Sequence, residues 1–107
     1  MNTDFVHSSL ATDPEFGELV ALFVDEMPTR INQLETQARN RDWTQLTRTA
    51  HQLKGAAESY GFHDITPFAA RLERAAAEAQ QDERILASLD ELLDMCRRVC
   101  VRGLPTE

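Results

Sequence analysis

Cysteine, glycine, proline and positive charge are all scarce in this chain. Two cysteines in 107 residues exclude a disulfide-stapled scaffold. Four glycines and four prolines, scattered along the chain, leave no phosphate-cradling glycine loop, no Gly/Ser-rich linker and no low-complexity segment. Lys and Arg number 11 against 18 Asp and Glu, a net charge of −7. Nucleic acid is therefore not an expected partner, because phosphate backbones are held by clustered cations. No apolar run approaches the roughly 20 residues that span a bilayer, and Met1 leads into polar and acidic residues rather than a basic start and an apolar stretch. The chain reads as cytoplasmic, with no membrane partner, and its Met1 start and the stop signals at Gly103 and Pro105 read as those of a free-standing protein.

What is present is helical periodicity. Hydrophobic residues make up 42%, enough for a core in one domain spanning 1–107. Residues 1–11 form an N-terminal arm whose Phe5, Val6 and Leu10 are expected to pack over one end of the fold. Thr12-Asp13-Pro14-Glu15 starts a helix that should bury Phe16, Leu19, Val20, Phe23 and Val24, and Pro28 should end or kink it. A second pattern, Ile31, Leu34 and Ala38, stops in Arg39-Asn40-Arg41. Asp42, with Gln45 three residues on, caps a third, in which Trp43, Leu46, Ala50, Leu53, Ala57 and Tyr60 share a face and Gly61 closes the end. Asp64 can cap a segment that tolerates Pro67 in its first turn and buries Ile65, Phe68, Leu72, Ala75 or Ala76, and Ala79. Asp82 opens the last helix, with Ile85, Leu86, Leu89, Leu92, Leu93, Cys96, Val99 and Cys100 on a wide apolar face. Both cysteines read there as small core residues rather than a redox pair, with no further ligands near them for a metal. No segment alternates with period two. The fold class predicted is all-α: an antiparallel up-and-down four-helix bundle over about residues 28–102, with an additional N-terminal helix.

One stretch breaks the local rules. Ala50-His51-Gln52-Leu53-Lys54-Gly55 puts a histidine, a lysine and a glycine in the middle of a helix. A glycine there costs about 1 kcal/mol relative to alanine. With Ala50 as reference on a helical wheel, His51 falls about 130° from the apolar centre and Gly55 also points outward, which weakens close helix packing as the reason for the glycine. Lys54 stands one turn on, where its ammonium could pair with an anion carried by His51, and Gly55 removes the side chain that would cover the imidazole. A neutral imidazole is a good nitrogen nucleophile, and a phosphoryl group on its nitrogen keeps a high transfer potential. An exposed histidine with open approach suits a reversible phosphoryl carrier. It does not suit a hydrolase, which needs a cleft, a positioned acid or water and usually a metal. His63 in the break after Gly61 and His7 in the arm have no lysine and glycine arranged around them.

The pattern Ala-His-x-Leu-Lys-Gly-x-Ala-x-x-x-Gly over residues 50–61 resembles the signature of histidine-containing phosphotransfer (HPt) domains, and the order of helices is similar over nearly the whole chain. Tyr60-Gly61-Phe62 and Arg71-Leu72-Glu73 are also similar to the phosphotransfer domain of chemotaxis kinases. The resemblance implies that His51 is phosphorylated through Nε2, that Lys54 stabilises the phosphoryl charge, that Gly55 keeps the approach clear, and that Glu73 hydrogen-bonds the other imidazole nitrogen. It implies a phosphorelay carrier without autonomous kinase activity and with no intrinsic cofactor, Mg²⁺ being supplied by the partner receiver. The partners implied are response-regulator receiver domains and a hybrid or chemotaxis-type histidine kinase. Two rival readings are a kinase's substrate domain and a receiver-binding adaptor that carries no phosphate. A monomer is the default, with an apolar helix near Cys96 and Val99 as the alternative dimer face. One departure stands out: Glu58 occupies a position that is usually small in the family. A carboxylate there could repel phosphate, pair with Lys54 at i,i+4, or tune partner choice.

Overall fold

A computed structural model describes residues 6–10, 12–78 and 81–100, with the side chain of Cys100 outside the description. Its elements, in chain order, are β1 (Val6–His7), α1 (Gly17–Arg39), α2 (Trp43–Ser59), α3 (Thr66–Ala77), α4 (Asp82–Arg97) and β2 (Val99–Cys100). The four helices form a bundle in which α1 packs on α2 and α4, and α3 packs on α2 and α4. Among the described residues no helix is long and apolar enough to cross a membrane.

The core follows the helical stripes. Leu34 of α1, Leu46, Ala50 and Leu53 of α2, Leu72 of α3, and Ile85 and Leu92 of α4 are all fully buried. Phe62, just beyond α2, is also fully buried and stacks on Phe23 with ring centroids 5.0 Å apart. Burying a side chain of that size contributes about 1.5–3 kcal/mol. It fastens the α2–α3 loop to α1.

Capping sets the start and end of α2. The Asp42 carboxylate accepts from the Gln45 N–H at 3.2 Å, satisfying one of the helix's free donors. At the other end Gly61 takes φ +83°, a left-handed conformation in which a Cβ would lie 2.7 Å from Ser8 Oγ and 2.8 Å from Ser9 Oγ. The arm is tied down at that point: Ser9 N–H donates to the Gly61 carbonyl at 2.9 Å, and the Ser8 hydroxyl donates to the Tyr60 carbonyl.

Several sequence expectations are corrected. The additional N-terminal helix is not a separate element. α1 runs unbroken through Pro28, because Phe23 and Met27 before the proline and Leu34 and Ala38 after it bury on the same core. The helix begins at Gly17, after a turn in which Asp13 Oδ1 accepts from the N–H groups of Glu15 and Phe16. Phe16 and Leu19, expected inside, are 37% and 41% exposed, since Val20 and Phe23 take the inward face. Leu86 is likewise exposed. Asp64 does not cap α3: the N-cap position is Ile65, with no side-chain cap.

At the C-terminal end α4 stops at Arg97 rather than continuing through Val99 and Cys100. Those two residues form β2, which pairs in parallel with β1 in the register Val6 to Val99 and His7 to Cys100. Val6 is buried under this pairing and Leu10 is half-buried, as expected of the arm. Cys96 is a buried free thiol whose pKa burial pushes up to about 12, so it stays protonated and unreactive. Phe5, Ala79, Gly103 and Pro105 lie outside the described residues.

Candidate functional site

The outward face of α2 meets α3 at a three-residue cluster. His51, in the middle of α2, is 64% exposed at its side chain, as its wheel position predicts. Across the helix pair, Glu73 of α3 places Oε2 at 2.8 Å from His51 Nδ1 and Oε1 at 2.7 Å from Lys54 Nζ. One carboxylate thus engages both residues that share adjacent turns of α2. The contact to the imidazole is the one the family resemblance implies for Glu73. The contact to Lys54 was not foreseen: the ammonium pairs with Glu73 rather than waiting free for an anion on His51. Its position carried the signal, because an α3 carboxylate that reaches His51 Nδ1 also comes within reach of a lysine three residues on.

The cluster fixes the chemistry of the ring. The Lys54 ammonium holds the Glu73 carboxyl below the ordinary value of 4.5, with the hydrogen bond from His51 adding to the effect and partial burial opposing it. An ionised carboxylate only accepts hydrogen bonds. Nδ1 must therefore carry a proton and donate it to Oε2, so that in the singly protonated ring the lone pair lies on Nε2.

Gly55 lies exposed on the same face, and a Cβ built on it meets nothing within 4 Å beyond its own turn of helix. Packing inside the protein therefore gives no reason for a glycine here. What an added side chain would occupy is the space one turn beyond His51.

Glu58 turns away from the cluster. Its Oε1 accepts from Thr66 Oγ1 at 3.0 Å and its Oε2 lies 3.3 Å from His63 Nδ1. The expected possibility that it pairs with Lys54 is not what the structure shows. The hydrogen bond from His63, then that from Thr66, holds the Glu58 carboxyl below its ordinary value. His63 also reaches the arm, with Nε2 at 3.3 Å from Ser9 Oγ. It is exposed, as expected, yet it bridges Glu58 and the arm. No group of three or more His, Cys, Asp or Glu side chains among the described residues is placed to hold a metal ion.

A helical bundle that displays an imidazole, oriented on one nitrogen by a carboxylate and open on the other, is the class of protein defined here. The family model for the Hpt domain matches residues 18–100, from the first turn of α1 to the end of β2, and the chain belongs to that family. Searches of curated proteins and of solved structures find no match.

Proposed function

We propose that the protein is a phosphorelay carrier that takes a phosphoryl group on His51 from the aspartate of one receiver domain and returns it to the aspartate of another. The observation that supports this most directly is the Nδ1–Oε2 contact of 2.8 Å, which reserves Nε2 of an exposed ring for attack. In the transfer step the Nε2 lone pair forms a bond to phosphorus while the aspartyl O–P bond breaks and the aspartate leaves as a carboxylate. No proton has to move. The ring gains positive charge, and Glu73 stands against Nδ1 to balance it. Lys54, already seated on Glu73, is the cation within one turn that stabilises the incoming phosphoryl oxygens.

Mg²⁺ and the acidic pocket belong to the receiver in this reading, so the carrier contributes a positioned nucleophile and an unobstructed approach over Gly55. The same reading takes consecutive helices as antiparallel, which the short connections at 40–42, 60–65 and 78–81 favour. It makes the protein a cytoplasmic monomer served by a hybrid or chemotaxis-type histidine kinase.

The test is transfer from a phosphorylated receiver to the wild-type chain and to His51→Gln. Wild type should gain phosphate that is labile in acid and stable in alkali, and the variant should gain none. Equal labelling of both proteins, or labelling of neither, would remove the carrier function.

A further inference from the structure

We infer that Arg48 is a docking residue that meets the carboxylates of an acidic receiver pocket and sets the orientation in which that partner covers His51. The inference rests on the carrier reading above and adds a residue and a partner chemistry to it.

The starting observation is a charge island. In a chain with 18 acidic residues, the stretch Trp43–Ala57 of α2 contains Arg48 and Lys54 and not one Asp or Glu. Five arginines elsewhere are matched: Arg30 with Glu26, Arg41 with Asp82, Arg71 with Glu91, Arg97 with Glu35 and Arg98 with Asp94, whereas Arg39, Arg74 and Arg84, like Arg48, have no such ion pair. Lys54 is matched by Glu73. Arg48 is exposed, and no carboxylate among the described residues pairs with it.

Its position gives the unpaired charge a direction. Arg48 precedes His51 by three residues and Gly55 by seven, so all three lie on one face over successive turns. A partner that enters across the open space at Gly55 to reach Nε2 lies over the Arg48 guanidinium as well. At the far end of the same face the Glu58 carboxylate is engaged by His63 and Thr66. The face therefore presents a free cation on one side of the histidine and a satisfied anion on the other.

The matching chemistry is a cluster of carboxylates. A protein that transfers phosphoryl groups to and from an aspartate must hold a hard divalent cation, and it does so with oxygen ligands, carboxylates foremost. A guanidinium binds such carboxylates in a fixed, planar geometry. Charge pairs of this kind at the rim of a transient interface act mainly on encounter rate and register.

The experiment measures the second-order rate of transfer from Mg²⁺-loaded receiver domains charged with acetyl phosphate, at low and high NaCl. The proteins compared are wild type, Arg48→Lys, Arg48→Gln, Arg48→Glu and, as a distant control, Arg39→Gln. Arg48→Gln should be slower by about threefold and Arg48→Glu by about tenfold at low salt, with the differences shrinking as salt screens the encounter. Arg39→Gln should stay near wild type, and Arg48→Lys, which keeps the charge but loses the planar fork, should fall between wild type and Arg48→Gln. Wild-type rates for Arg48→Glu, or a deficit that persists at high salt, would overturn the docking role alone. Absence of transfer to wild type from any receiver would overturn the carrier reading, and the docking role with it.

Discussion

Replacing Glu73 by glutamine tests the centre of the mechanism with little cost to the fold. The wild-type carboxylate serves His51 Nδ1 with one oxygen and Lys54 Nζ with the other, at 2.8 and 2.7 Å. Glutamine has a single acceptor oxygen, so it can serve one of them and must turn its NH₂ group toward the other. The His51 side chain is 64% exposed and that of Lys54 34%, so solvent screens both contacts and their combined loss should cost under about 1 kcal/mol of stability. The chemical effect should be larger. A charge-assisted hydrogen bond contributes about 1.5–3 kcal/mol at full strength. Discounted for exposure to about 1–1.4 kcal/mol, it still biases the ring toward the nucleophilic tautomer by up to about tenfold. Single-turnover transfer to Glu73→Gln should therefore be slower by up to about tenfold, and the ¹⁵N shifts of His51 should show the proton leaving Nδ1. The pH profile gives a second readout. Because the Glu73 pKa lies below its ordinary 4.5 in the folded protein, its contribution is fully present above that value and is lost as pH falls through the lowered one. Wild type should lose stability on that acid limb in excess of Glu73→Gln, read as a falling Tm. A variant with wild-type rate and an unchanged ¹⁵N pattern would refute the orienting role.

Three further substitutions probe the backbone, two near the site and one in α1. Gly55→Gln should raise helix stability by about 0.5–1 kcal/mol while slowing transfer by at least about tenfold, since its Cβ enters open space and the longer side chain stands in the approach to His51; a stabilised variant with normal transfer would show that the open space is not used. Gly61→Ala should lower stability by about 1–3 kcal/mol, because φ +83° is strained for alanine and its Cβ would press on Ser8 and Ser9; a denaturation midpoint unchanged from wild type would remove that reasoning. Pro28→Ala restores a donor to the Val24 carbonyl inside a continuous α1 and should raise stability by about 1–3 kcal/mol, read as a higher Tm, whereas a loss would mean that the ring's packing outweighs the missing hydrogen bond.

The helices were legible wherever one periodic face and a local cap agreed, as in α2, where Asp42, Leu46, Ala50, Leu53, Ala57 and Gly61 all fall as expected. Pro28 misled because its cost is local and its compensation is not. A mid-helix proline costs about 3 kcal/mol, and fully burying a side chain such as Phe23 or Met27 contributes about 1.5–3 kcal/mol, so the aligned faces on either side hold α1 together. The end of α4 misled for a related reason. Val99 and Cys100 continue the apolar spacing of the helix, but their backbone pairs with Val6 and His7, at the opposite end of the chain. Nothing in the local pattern announces a partner that distant.

The site divides in the same way. His51 and Gly55 could be placed by wheel geometry, since both depend only on where α2 turns its face. Glu73 could be tied to His51 only through a family resemblance, because the contact joins two helices. Two carboxylates that the helices of the site offer, Glu58 of α2 and Glu73 of α3, are alike in the sequence and differently engaged. Glu73 is drawn in by Lys54 and fixes the ring, whereas Glu58, on the face where a negative charge would oppose a phosphoryl group, is drawn off by His63 and Thr66 beyond the end of α2. The departure from the family's usual small residue at position 58 is therefore accommodated by two neighbours in the α2–α3 segment. With Glu58 so engaged and Lys54 on Glu73, Arg48 is the cation of α2 that has no ion pair among the described residues, on the face proposed for docking.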